Sequence, residues 1–430
     1  MGKRPRTEVV VGAVAVAALT LGLAALATLS PVAPGSESQS NLTGVPAGAG
    51  FEALHEQGVT GANVSVGVVD VTAFDSDAGA LSGRVRATRT FGRGPVATGG
   101  HGTAAATVVA RTAPEADLYL ATVDGIDSYG RAVGWLREQD VDVVVAPVSF
   151  YGRPGDGSGT VGTASRRAVE AGVVVVAPTG NLADSHWRGR DDARTANGTV
   201  AVADGRERMA LSGPSEVTVW LSWDREHAGT DYTVELYRTD VPGSRLVARS
   251  RPFRADGTPN ERIVTEVPPG EYALAIRGPP EPTGARLRLV SPTHEFARPT
   301  SRGSVVAPGT ARGVLTVGAY DNASGRVEPF SSRGPTADGR VGVDVVAPDR
   351  RFAALTDGGF VGSSAATPYV GGLVALMLDA DGRLSPARAE LLVELTATDV
   401  GPPGVDSASG HGVVAPVRAV RAAANTTASG

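Results

Sequence analysis

Three short segments hold side chains that could do chemistry together. The first is "FVGSSAATPYVGG", residues 360–372. Two serines follow Gly362, and small residues let a backbone turn tightly and approach something closely. Pro368 suits the first turn of a helix, where its missing N–H would go unpaired anyway. The "YVGGLVALML" that follows is apolar on every side, as in a helix buried within a large core. Ser363 or Ser364 therefore opens a buried helix, where backbone N–H groups and the helix dipole favour negative charge. That suits a nucleophile, provided a base lies within reach.

Among six histidines, His101 in "TGGHGTAAATVVA" is the one poorly explained by packing. Glycines flank it, and a small-residue helix begins just after it, so its side chain is expected to face a cleft. For an orienting acid, Asp70 closes the strand "VSVGVVD". A buried carboxylate there needs partners, so it either caps a turn or holds an imidazole; for Asp70 alone, capping is the commoner role. Taken with His101 and Ser364, the order Asp, His, Ser is one of the known triad orders.

A rival arrangement uses "GSSAA" as a relaxed nucleophile elbow, with Ser364, Asp399 or Asp406, and His411 in the order Ser, Asp, His. It leaves His101 and Asp70 without roles and leaves little sheet after the serine. No H-E-x-x-H or phosphate-binding loop occurs. Acidic clusters at Asp75–Asp77 and in "RDDAR" read first as solvated charge and second as calcium ligands. No metal site is assigned and no cofactor is required. His186-Trp187 is divided evenly between lining a cleft and packing.

The elements that must position these residues follow from the rest of the chain. Its 430 residues carry a net charge of −5, which suggests neither a nucleic-acid surface nor a basic membrane patch. Cysteine is absent, so packing must supply stability. Valine-rich strands at "VSVGVV", "DLYLATV", "VDVVVAPVSF" and "VVVVAP" alternate with helical patterns. This predicts an α/β fold with a mostly parallel sheet covered by helices on both faces. Functional groups then collect beyond the carboxyl ends of the strands. From 206 to 290 only short strands and Pro/Gly turns occur, which predicts an inserted antiparallel β-sandwich. The catalytic domain is thus expected in two parts, 51–205 and 291–425.

At the N-terminus, Val9 to Leu29 is an uncharged apolar run of the length of a membrane span, preceded by Lys3, Arg4 and Arg6. Residues 1–30 are read as an anchor, in preference to a signal cleaved near Ala25-Leu26-Ala27, and 31–50 as a linker. Either way the domain is expected outside the cytoplasm. Nothing in the residues assigns an oligomeric state.

"VSVGVVD", "GGHGTAAA" and "GSSAATPYVGG" together resemble the signature segments of the subtilisin-like serine proteases, the subtilases. The resemblance implies Asp70 as orienting acid, His101 as general base and acid, and Ser364 as nucleophile. "VVVVAPTGN" resembles the family's oxyanion strand, implying Asn181 as a donor beside the Ser364 N–H. It also implies substrate pairing along Ser149, Phe150 and Gly152. Asp70 is followed by Val71-Thr72, where the family usually has Thr-Gly. The expected activity is an exported serine endopeptidase acting on proteins or peptides. The alternatives are an inactive binding protein on this fold and, behind it, an esterase using Ser364 and His411.

Overall fold

The computed structural model describes residues 49–97, 99–253, 257–356 and 359–427. The apolar run 9–29 and most of the linker lie outside them. Among the described residues no helix is long and apolar enough to cross a membrane.

The α/β part begins with α1 (Ala49–Glu56) and β1 (Ser65–Asp70), then β2 (Val85–Thr90), α2 (His101–Thr112), β3 (Asp117–Thr122), α3 (Ile126–Glu138), β4 (Val143–Val145), α4 (Thr160–Glu170) and β5 (Val174–Pro178). Side chains alternate across a strand, and here both faces are apolar. Val66, Val68, Val145 and Val176 pack with α2 and residues 365–378 on one side. Val69, Val144, Val175 and Ala177 pack with α3 and α4 on the other. Burial on both faces is why these strands read as continuous valine runs rather than alternating ones. "VDVVVAPVSF" makes a strand of only three residues. Pro147 cannot donate to a ladder, and Ala146 N–H makes a last bond to Val176 O at 2.9 Å.

The chain then leaves the sheet for ten short strands: β6 (His186–Arg190), β7 (Met209–Ser212), β8 (Glu216–Trp223), β9 (Thr233–Arg238), β10 (Arg245–Arg249), β11 (Arg251–Pro252), β12 (Asn260–Glu266), β13 (Tyr272–Arg277), β14 (Arg286–Val290) and β15 (Glu295–Phe296). They form two antiparallel five-stranded sheets, β10-β9-β13-β7-β15 and β11-β12-β8-β14-β6. Alternate residues such as Val217, Val219, Leu221, Val234, Leu236 and Leu289 fill a shared core. The sheets extend past the expected interval 206–290 on both sides. The edge strands "HWRGR" and "EF" lack the apolar alternation that reveals a strand in sequence.

The chain returns as β16 (Val314–Asp321), β17 (Arg326–Val327), β18 (Val345–Pro348), α5 (Ser363–Ala380), α6 (Pro386–Thr396) and α7 (Pro416–Thr427). The completed sheet runs β17-β16-β5-β4-β1-β3-β2, with β18 parallel to β16; only β17 is antiparallel. Helix α5 crosses this sheet so closely that a Cβ on Gly371 would lie 2.3 Å from Val145 Cγ2.

Candidate active site

β1 delivers Asp70 to the carboxyl edge of the sheet, beside the start of α2. Asp70 is fully buried. Its Oδ2 accepts from His101 Nδ1 at 2.7 Å. Its Oδ1 accepts from both the N–H and the hydroxyl of Thr72, each at 2.8 Å. Thr72 Oγ1 in turn accepts the Gly102 N–H at 2.7 Å, tying the first turn of α2 to the acid. A Cβ on Gly102 would lie 2.9 Å from Asp70 Cβ, so the glycine after His101 is what lets α2 press onto the carboxylate. Thr72 is a functional residue that sequence reasoning misses; its only local mark is a hydroxyl two residues past a strand-ending Asp, a pattern common in ordinary turns.

The other imidazole nitrogen, His101 Nε2, lies 3.1 Å from Ser364 Oγ. Phe360 stands edge-on to the ring, centroids 5.1 Å apart, and limits its rotation. Burial disfavours a charged imidazole, but the Asp70 carboxylate outweighs it through charge and hydrogen bond. His101 therefore titrates above its ordinary value.

Ser363 and Ser364 open α5. The backbone of Gly362 has φ +111°, and a Cβ there would meet Asn181 Nδ2 at 2.6 Å; both facts call for glycine. Asp349 accepts the Gly362 N–H at 3.0 Å. Ser363 faces Asn181: its N–H and hydroxyl both reach Asn181 Oδ1, at 3.0 and 2.9 Å. With its oxygen occupied, the amide has its NH₂ left to donate beside Gly362. The early N–H groups of α5, that of Ser364 included, have no preceding helical turn to bond. Pro368 is not in the first turn as expected. The helix starts at Ser363, so the proline sits in the second turn and withholds an N–H from the Ser364 carbonyl.

Ser149, Phe150 and Gly152 leave β4 between the ends of β1 and β5, so Asp70 stands on one side of them and Asn181 on the other. Phe150 N–H is bonded to Ala307 O at 2.8 Å, and its ring packs edge-on to Tyr129. Ser149 is half-buried. Gly152 does not face open solvent; it is buried, and a Cβ on it would lie 2.6 Å from Trp220 Cε3 of β8.

His411 is elsewhere: its Nε2 faces Glu394 Oε1 at 3.7 Å, while the Ser364 hydroxyl meets His101. Asp399 and Asp406 accept from the nearby backbone at Gly404 and Ala408. His186 and Trp187 belong to the sandwich, where His186 Nδ1 donates to Thr300 O at 2.6 Å. In "RDDAR", Asp191 is not solvated charge. It is fully buried and held by Arg194, by the Tyr232 hydroxyl at 2.6 Å and by Thr283. Tyr232 and Thr283, distant in the chain, cover it, which local composition does not reveal.

The sheet order and the edge on which these groups meet define a subtilisin-like α/β fold with an inserted sandwich, the fold class the sequence predicted. Residues 295–412 match the Subtilase family, so the chain carries a subtilase segment on that fold. Among solved structures it is similar to the Clostridium perfringens CspB protease. The identity is 17%, the TM-score 0.65, and 88% of this chain and 97% of that one are covered. It is also similar to the prenylagaramide maturation protease PagA, at 14% identity and TM-score 0.50, covering 87% of this chain and 98% of the other. An uncharacterized protein of Aquifex aeolicus (strain VF5) is 36% identical over 101 residues, covering 17% of this chain. The chain spans about half the length of that curated relative, 46%.

Proposed function

We propose that this chain is an exported serine endopeptidase. The reading rests on one observation: Asp70, His101 and Ser364 form a single hydrogen-bonded line, 2.7 and 3.1 Å, beside the amide of Asn181. In this mechanism Ser364 Oγ attacks a peptide carbonyl carbon as its proton passes to His101 Nε2. The tetrahedral oxyanion is taken by Asn181 Nδ2 and the Ser364 N–H. His101 then returns the proton to the leaving amine, and a water hydrolyses the acyl-enzyme by the same route. Asp70 holds Nδ1 protonated, which leaves Nε2 free to act as the base. Export is supported by the apolar run 9–29 behind Lys3, Arg4 and Arg6.

Fluorophosphonate labelling followed by peptide mapping tests the reading. Label on Ser364 that is lost in His101→Ala and kept in His411→Ala is the expected outcome. Label that depends on His411 would favour the esterase arrangement, and absence of label would favour a binding protein on this fold.

A further inference from the structure

On the protease reading, the residue on the acyl side of the scissile bond has a definable place. The reacting carbonyl must lie between Ser364 Oγ and the Asn181 amide. β4 and β5 are adjacent parallel strands, so segments 149–152 and 179–182 leave the sheet side by side at that edge. A side chain on the acyl residue has to enter between these two segments.

That space is filled from below and from the side. Residues 306 and 307 run across its floor: Val306 N–H donates to Thr179 O at 3.0 Å, and Ala307 O accepts the Phe150 N–H at 2.8 Å. The Val306 side chain lies against the oxyanion segment, since a Cβ on Gly180 would be 2.8 Å from its Cγ2. Leu182 of one segment and Tyr151 of the other join a single apolar cluster with Val306, Trp220, Val290 and Phe253. The last three come from the sandwich. Trp220 is 7% exposed. It is held edge-on by Phe253 at 4.9 Å, and the Arg262 guanidinium lies 5.1 Å from its ring centroid.

We propose that the inserted sandwich closes this subsite, so that the protein cleaves after small residues, glycine or alanine, and rejects large apolar ones. A leucine or phenylalanine there must displace side chains packed at interior density, whereas a methyl group need not. The inference depends on the protease reading and adds the class of peptide that it acts on.

The test uses the full-length protein in detergent and quenched peptides of one sequence, varied only at the residue before the cleaved bond. Alanine and glycine are expected to exceed leucine and phenylalanine in kcat/KM by about 10–10²-fold. Val306→Gly and Trp220→Ala should each raise leucine relative to alanine by about tenfold, with Ser364 labelling by fluorophosphonate certifying an intact site. Labelled native protein that cleaves after leucine or phenylalanine as fast as after alanine overturns the inference and leaves the protease reading standing. An unchanged preference in both labelled variants overturns it likewise. Native protein that neither takes label nor cuts any peptide overturns both.

Discussion

The Ser363 hydroxyl donates to Asn181 Oδ1 at 2.9 Å and itself accepts the Gly180 N–H at 3.1 Å. The residue before the proposed nucleophile thus fixes the amide that is proposed to bind the oxyanion. Ser363→Ala removes one of two donors on Oδ1 and leaves the backbone donor. About a 3–10-fold fall in kcat/KM is expected, the worth of one neutral hydrogen bond. Asn181→Ala should cost more, about 10²–10³-fold, the magnitude known for the corresponding donor of subtilisin. Steady-state kinetics on one peptide would rank the two, and a Ser363→Ala loss as large as that of Asn181→Ala would refute the positioning role.

Thr72 joins three groups around the buried acid. Thr72→Val keeps the shape but leaves Asp70 Oδ1 with one donor and the Gly102 N–H with none. A loss of about 1–3 kcal/mol in unfolding free energy is expected, with Thr72→Ser recovering most of it. Urea denaturation of the three proteins checks this.

Because the neutral imidazole is the base, kcat/KM should rise with pH through a limb above the ordinary histidine value, set by Asp70. Asp70→Asn should move that limb to lower pH while reducing the plateau rate. The linkage has the opposite sense for folding. A His101 pKa above the unfolded value stabilises the protein fully below the unfolded pKa, and this contribution is lost as pH rises through the folded one. An acid limb unmoved in Asp70→Asn would count against the assignment.

Two carboxylates, the half-buried Asp344 and the buried Asp349, put a slope on stability. Asp344 is pushed up to about 8 by burial and then by Glu390, and Asp349 to about 7 by burial and then by Glu328. Each is protonated in the folded protein at a pH where the unfolded chain has released the proton. Folding therefore takes up protons, and stability should fall from about pH 4 to about pH 8. Asp344→Asn should flatten the fall across its whole range and Asp349→Asn only the part below about pH 7. Urea midpoints at several pH values would show it, and equal slopes in all three proteins would exclude these groups as the cause.

Much of the site was legible because its chemistry is local in the chain. Glycine before Ser363, glycines around His101 and an acid closing a valine run each mark a backbone that must bring a side chain to an edge. The parallel sheet was legible because burial on both faces demands unbroken apolar strands. Thr72, the double donor on Asn181 and the capping of Gly362 by Asp349 were not, since each joins residues through hydrogen bonds that leave no periodicity.

The sequence by itself determined the fold class, the order Asp70, His101, Ser364 and the existence of an insertion, because periodicity and turn residues act over a few positions. Only the tertiary structure decided what the insertion touches and what lies beneath the oxyanion segment. Trp220 reaches Gly152 across 68 positions of sequence, and Val306 reaches Gly180 across 126. Such contacts are set by how segments far apart in the chain pack in three dimensions, and apolar residues carry no mark of which surface they will meet.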